Sequence, residues 1–288
     1  MSATFGHFKF PLGRRFDLII RARRLECGVY DALTKNLKEA LFQKLQGAAT
    51  KLDNNLTNQE TNTFLDTLQS IAIKIHSYFE SLPKELQKTT DQLMNKGWFV
   101  VFFDDYFDSH HQLEENLTRQ KDAYKDKFLM EYFNSKAEEI ERILLEKLPR
   151  RESQIKQAFI AYREQLYYLS IPALLILAES VCRDLSGNLG LYSKHKQGSN
   201  KAHKPLTDDL FDNMDDIDQL EEVLFIPLRK RSSLTKNCSN PTAHQKKLLN
   251  RHLIIHGQSD NYGSEINSIK SLSLVYYVFY TLEYLQTR

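Results

Sequence analysis

The sequence LSIPALLILAE occupies positions 169–179, and it is apolar on almost every side of the helix that its spacing predicts. The helical pattern extends in both directions, over 152–184, and Pro172 is expected to kink or restart the helix. A helix without a polar face has to lie at the centre of a core or face a partner molecule. This stretch therefore predicts a fold assembled from helices around residues 169–179.

The composition also favours helices. The 288 residues include 10 Gly and 7 Pro, which are few of the punctuating residues that many short strands need, and 41% of the chain is hydrophobic. We expect an all-α protein with a helical N-terminal region of unknown role over 1–148 and a helical bundle over 149–288. The longest apolar runs fall far below the roughly 20 residues that span a bilayer. The start does not resemble a secretory signal, so we expect a cytoplasmic protein with no membrane partner.

Apolar residues recur at helical spacing in the N-terminal region, over 14–46, 60–82 and 111–148. The short apolar run 97–103 fits either a buried strand or a helix, and we favour the helix. Near the C-terminus, Ser264 is expected to cap a last helix that packs antiparallel to the helix before it.

Charge is sharply divided between two neighbouring segments, both inside or next to a long loop that we predict at about 186–243. Residues 205–222 hold eight acids and no base, whereas residues 223–251 hold seven Lys or Arg and no acid. A basic strip of this kind is typical of phosphate-backbone binding, and a solvated basic loop is an equally good interpretation. Aromatic residues are absent between 226 and 261, so base stacking is not indicated. The candidate RNA-binding residues are Arg229, Lys230, Arg231, Lys246 and Lys247.

The basic segment leads into NRHLIIHG, residues 250–257, in which four residues separate Arg251 from His256. Arginine offers a permanent planar cation for phosphate, and histidine is the side chain best suited to moving protons near neutral pH. Spacing alone is a weak signal, because chance would supply one such pair. We predict a helix over 244–256 that ends at Gly257. Five residues turn about 140° on a helix, so the two side chains need a loosened last turn or a second copy of the helix to converge.

Three stretches occur in order along the second half of the chain: 170–175 with Glu179 and Asp184 downstream, 250–257, and 262–270. Together they resemble the HEPN superfamily, in a bacterial branch associated with phage defence. The resemblance covers about residues 150–288. It implies a helical bundle, usually dimeric, in which Arg-x(4–6)-His motifs meet across the dimer and form a ribonuclease site that uses no metal.

The resemblance also implies roles for individual residues. Arg251 would stabilise negative charge on the phosphate, and His256 would act as general acid or base on the ribose 2′-hydroxyl or the leaving 5′-oxygen. Asn250 and His252 would orient these two side chains. Glu179 would reach the site from the neighbouring helix, although pairing with a local base is an equally good interpretation.

The expected function is therefore an endoribonuclease that needs no metal or other cofactor, acting as a toxin or abortive-infection effector in anti-phage defence. Its expected partners are RNA, a second copy that completes the active site of a homodimer, and an inhibitory protein or phage trigger. The alternative is a HEPN protein that binds RNA or docks a partner without cutting.

Overall fold

A computed structural model describes residues 77, 81–104, 106, 113, 116–118, 120–238, 241–242 and 249–288. The chain divides into two compact units, Met1–Leu82 and Pro83–Arg288. The helix predicted over 14–46 and most of the one predicted over 60–82 lie outside the described residues, but the predicted end at 82 is wrong, because residues 81–95 form one continuous helix.

The second unit consists of helices joined by irregular segments. In the part of the chain that the structure describes, the one β-type pairing is an isolated bridge between Lys194 and Pro205, so the all-α prediction is confirmed. None of the described helices has the length and hydropathy that a bilayer crossing requires. The helices with described bounds are 81–95 (α1), Asp122–Lys147 (α2), Glu152–Arg163 (α3), Tyr167–Leu185 (α4), Gln219–Arg229 (α5), Arg251–Ile255 (α6) and Glu265–Thr287 (α7), with 3₁₀ turns at Pro149–Arg151 and Leu206–Phe211.

The core lies between α7 and α4. Every residue of α7 from 271 to 282 is buried, and α4 packs along it at a contact where Ser170 Oγ and Ser268 Oγ are 2.7 Å apart. Serine side chains at such a contact let two helix backbones approach closely. The predicted antiparallel pairing of α7 with the motif helix differs from the structure, because α6 is only five residues long and packs against α4 instead.

Helix α2 also belongs to this core. It packs on α7 and on α3, and Lys147 Nζ lies 2.6 Å from Glu283 Oε1. The contacts therefore divide the chain after Leu82 and not between 148 and 149, where the sequence pattern placed the limit of the bundle. Residues 113 and 116–118 are helical, as predicted over 111–148, but residues 120 and 121 are not, so the predicted helix is interrupted before α2 begins.

The helix predicted over 97–103 is wrong, because residues 98–103 are irregular and mostly buried. Gly97, at φ 86°, ends the turn after α1 in a conformation that favours glycine. Side chains of α7 then satisfy the irregular backbone: Ser273 Oγ accepts from the Phe99 N–H at 3.3 Å, and the Tyr280 hydroxyl donates to the Phe103 carbonyl at 2.8 Å.

The single helix predicted over 152–184 is also wrong, since the chain breaks between α3 and α4. Gln165 adopts a left-handed conformation at φ 56°. The Leu166 N–H bonds back to Ala161 O at 2.9 Å and the Gln165 N–H to Tyr162 O at 3.1 Å, which is the pair of bonds that closes a Schellman motif. Pro172 does not cause the break; it lies in the second turn of the restarted helix.

The long loop predicted at about 186–243 contains α5. Asp218 and Glu221 form a reciprocal capping box at its start, and the buried residues Val223, Phe225 and Leu228 provide its apolar face. Asp208, an acid of the 3₁₀ turn over 206–211, forms ion pairs within the fold with Lys201 and Lys204 of the preceding loop and with Arg229 at the end of α5.

Candidate functional site

The motif helix α6 begins at Arg251, with Asn250 as its N-cap. The predicted start at 244 is wrong, because residues 249 and 250 are not helical. Asn250 is buried, and its Oδ1 accepts from the Leu253 N–H at 3.1 Å. Its Nδ2 donates to Ser233 O at 2.6 Å and to Lys236 O at 3.0 Å. Asn250 therefore fixes the whole helix on the turn at 232–236.

The end of α6 agrees with the prediction at Gly257. This glycine has φ 66°, and the Gln258 N–H bonds to Leu253 O at 2.7 Å while the Gly257 N–H bonds to Ile254 O at 3.1 Å. The same Schellman geometry that ends α3 thus ends α6. His256 is the C-cap, so Arg251 and His256 stand at opposite ends of one short helix.

Arg251 is partly exposed, and its guanidinium lies over the ring of Tyr192, with Cζ 4.8 Å from the ring centroid. Its backbone N–H donates to Leu234 O at 3.1 Å. No carboxylate of the described residues lies within 4.0 Å of the guanidinium. The positive charge of Arg251 is therefore not neutralised by the described part of the fold.

Tyr192 is a site residue that the sequence patterns missed. It is the one aromatic residue between 186 and 208, and it is separated from the motif by most of the predicted loop. Its hydroxyl donates to Leu175 O at 2.8 Å, and its backbone N–H donates to Glu179 Oε2 at 3.2 Å. Burial raises the pKa of Tyr192 well above its ordinary value, so the phenol stays protonated.

His252 and His256 lie against each other on α6, with ring centroids 4.5 Å apart and an interplanar angle of 53°. Burial lowers the pKa of His252, the nearby His256 and Arg251 lower it further, and a hydrogen bond to the Cys238 backbone opposes them. The His252 Nδ1 is buried without a partner among the described residues. The structure thus brings His252 and His256 into contact, and the Arg251 charge acts on His252, while Arg251 and His256 stand at the two ends of the helix.

Glu179 reaches the site only through Tyr192. One of its carboxylate oxygens accepts from the Tyr192 N–H, and the other lies 2.8 Å from Arg183 Nη2, one helical turn along α4. The second interpretation of Glu179, pairing with a local base, therefore agrees with the structure, and the base is Arg183. Both oxygens are occupied, so Glu179 holds the loop that carries Tyr192.

The candidate RNA-binding residues that the structure describes bind other groups of the same chain. Arg229 Nε lies 3.4 Å from Asp208 Oδ1, and its Cζ lies over the Phe211 ring. Lys230 Nζ lies 2.9 Å from Asp91 Oδ2, and Arg231 donates to Thr235 O at 2.8 Å. Lys246 and Lys247 lie outside the described residues.

The three stretches that carry the family resemblance meet around α4. The first lies in α4 itself, the second forms α6 on its surface, and the third begins beside Tyr168 at the start of α4. The Tyr168 and Tyr262 rings are 5.0 Å apart, and a Cβ at Gly263 would lie 2.3 Å from the Tyr168 ring. Glycine is therefore the residue that this contact permits.

Comparisons with protein-family models, with curated proteins and with solved structures find no match for this chain.

Proposed function

We propose that the Pro83–Arg288 unit is a metal-independent endoribonuclease of the HEPN type, with Arg251 and His256 as its catalytic residues. The observation that carries the proposal is the Arg251 guanidinium, which lies over the Tyr192 ring without a carboxylate partner among the described residues, on the same short helix that brings the His252 and His256 imidazoles into contact. An unneutralised arginine beside histidines at the surface is suited to a phosphodiester.

In the proposed reaction the ribose 2′-oxygen attacks the adjacent phosphorus while a base removes its proton. The bond from phosphorus to the 5′-oxygen breaks, and an acid protonates that oxygen. The products are a 2′,3′-cyclic phosphate and a 5′-hydroxyl. DNA is not a substrate, because it lacks the attacking 2′-hydroxyl. His256, which is exposed, supplies the acid or base, and Arg251 stabilises the charge that builds up on the phosphate.

We further propose that two copies complete the site through the exposed face of α4. Leu169 and Ile176 are 62% and 50% exposed, and they lie seven residues apart on one face of this helix. Ile255, 38% exposed, extends the apolar surface onto α6. A surface of this kind beside the motif helix would bring two copies of Arg251 and His256 together.

The dimer is tested by measuring molar mass with light scattering. Ile176→Glu is expected to give a monomer that no longer cuts RNA, whereas Ile176→Val, which keeps the apolar surface, is expected to remain dimeric and active. A wild-type protein that is monomeric while it cuts RNA would contradict the composite site.

The proposed cellular role is a toxin or abortive-infection effector, restrained by an inhibitory partner or released by a phage trigger. Expression of the wild type in bacteria should then slow growth, and substitution of Arg251 or His256 should relieve the effect. This growth assay tests the cellular role separately from the chemistry.

The decisive experiment is RNA cleavage by the purified protein. Arg251→Ala and His256→Ala should each abolish cleavage while circular dichroism and light scattering stay unchanged, and a chelator should have no effect. The matched controls, Arg150→Ala and His203→Asn, change exposed residues far from the motif in sequence and should cut normally. If the wild type binds RNA but never cuts it, the protein belongs to the non-catalytic class. If His256→Ala unfolds the protein, the site assignment fails.

A further inference from the structure

We infer that Tyr192 is the positioning residue of the site: its ring holds the Arg251 guanidinium in the orientation that receives a phosphate. The inference rests on the proposed function, because the orientation matters only if Arg251 meets an anion. Tyr192 does not contact the proposed reacting groups, because its hydroxyl donates a hydrogen bond to Leu175 O inside the fold. It therefore acts through Arg251 and not as an acid or base.

The ring is held rigidly because the loop that carries it folds back on α4. The Tyr192 hydroxyl and backbone N–H bind two successive turns of that helix, at Leu175 O and Glu179 Oε2. Arg183 extends the anchorage, since it pairs with Glu179 and its Nη1 donates to Asn188 Oδ1 at 3.1 Å. The ring position is thus fixed relative to α4, the helix on which α6 also packs.

Arg251 is held both at its backbone and at the tip of its side chain. At the backbone, the Arg251 N–H bonds to Leu234 O; at the tip, the planar cation lies 4.8 Å from the centroid of the buried ring. A free arginine side chain loses rotamer entropy when a ligand immobilises it. The contact with the Tyr192 ring removes part of that loss before the phosphate arrives.

The test compares Tyr192→Phe with Tyr192→Leu. Phenylalanine keeps the ring and loses the hydroxyl, so it should lower stability while kcat/KM for RNA cleavage stays within about twofold of wild type. Leucine removes the ring, and kcat/KM should fall about tenfold. In the Arg251→Ala background, the change from Phe to Leu should have no further effect on RNA binding, because the ring acts only through the guanidinium. Equal kcat/KM values for the two variants would overturn the inference.

A second readout separates this inference from the proposed reaction. The Nε–Hε resonance of Arg251 should carry a ring-current shift that persists in Tyr192→Phe and disappears in Tyr192→Leu, and the affinity for inorganic phosphate should fall only in the leucine variant. If these changes occur but the wild type does not cut RNA, the positioning role holds and the nuclease proposal fails. If the wild type cuts RNA and the resonance is the same in both variants, the positioning role fails alone.

Discussion

The Tyr262 hydroxyl donates to the Tyr168 carbonyl at 3.2 Å, and this carbonyl is the one that Pro172 leaves without a helical donor. In an α-helix the N–H of residue 172 would bind the oxygen of residue 168, but proline has no N–H. Tyr262, in the turn before α7, supplies the missing hydrogen bond from outside α4. The proline inside α4 is thus tolerated because a later segment of the chain compensates for it.

We predict that Tyr262→Phe lowers the free energy of unfolding by about 1 kcal/mol, since the ring contact with Tyr168 stays and one hydrogen bond is lost. In a Pro172→Ala background the backbone N–H of residue 172 is available, and the same substitution should cost much less. Urea denaturation of the four proteins measures the coupling. Equal costs in the two backgrounds would show that Tyr262 does not replace the proline's missing donor.

We predict that Asn250→Ala destabilises the protein by about 2–3 kcal/mol, because it removes a helix cap and the two hydrogen bonds to the backbone carbonyls of Ser233 and Lys236. Ser264→Ala is the matched control, since Ser264 caps α7 through a single 3.4 Å bond from the Asn267 N–H. Its cost should be about 1 kcal/mol or less. Urea denaturation of both variants is the measurement, and a loss no larger for Asn250 than for Ser264 would contradict its role in tying α6 to residues 233–236.

The elements that the sequence predicted correctly depend on local signals. Gly257 ends α6 because the left-handed conformation needed after a helix favours glycine, and Ser264 caps α7 as its side chain suggested. The start of α5 depends on an equally local signal, since Asp218 and Glu221 have the spacing of a capping box before an apolar run.

The features that the sequence did not reveal depend on distant residues. The start of α6 is set by Asn250 and the carbonyls of Ser233 and Lys236, which no periodicity relates. The break between α3 and α4 falls at Gln165, and glutamine, unlike glycine, does not indicate a left-handed conformation in a sequence. The contact of Arg251 with Tyr192 joins two residues that are 59 positions apart in the sequence, so only the tertiary fold could place that ring beside the motif.

We predict that His252 titrates below its ordinary pKa of about 6.5, because burial and two neighbouring cations disfavour its charged form. Since the folded pKa lies below the unfolded one, its contribution to stability is complete above about pH 6.5 and is lost as the pH falls towards the folded value. NMR titration of the His252 imidazole tests this directly. His256→Asn should raise the His252 midpoint by removing one neighbouring charge, yet leave it below the ordinary value, because burial is the largest cause. A midpoint unchanged by His256→Asn would show that the two rings are not electrostatically coupled.

The last prediction concerns Asp208, whose buried carboxylate lies 3.0 Å from Lys204 Nζ and 3.3 Å from Lys201 Nζ. Burial raises its pKa, but hydrogen bonds and charge from the two lysines outweigh burial, so the pKa is lowered overall. A lowered carboxyl pKa stabilises the fold above the unfolded value of about 3.9, and this contribution is lost as the pH falls through the folded value. Asp208→Asn should therefore unfold more easily than wild type at pH 7, and the difference should shrink at pH 3, because part of this contribution is lost below the unfolded value. Asp215→Asn, which changes an exposed acid of the same segment, should show little difference at either pH. Thermal unfolding of the three proteins at both pH values is the measurement, and a gap between wild type and Asp208→Asn of equal size at pH 7 and pH 3 would mean that the lysines do not hold this carboxylate in its charged form.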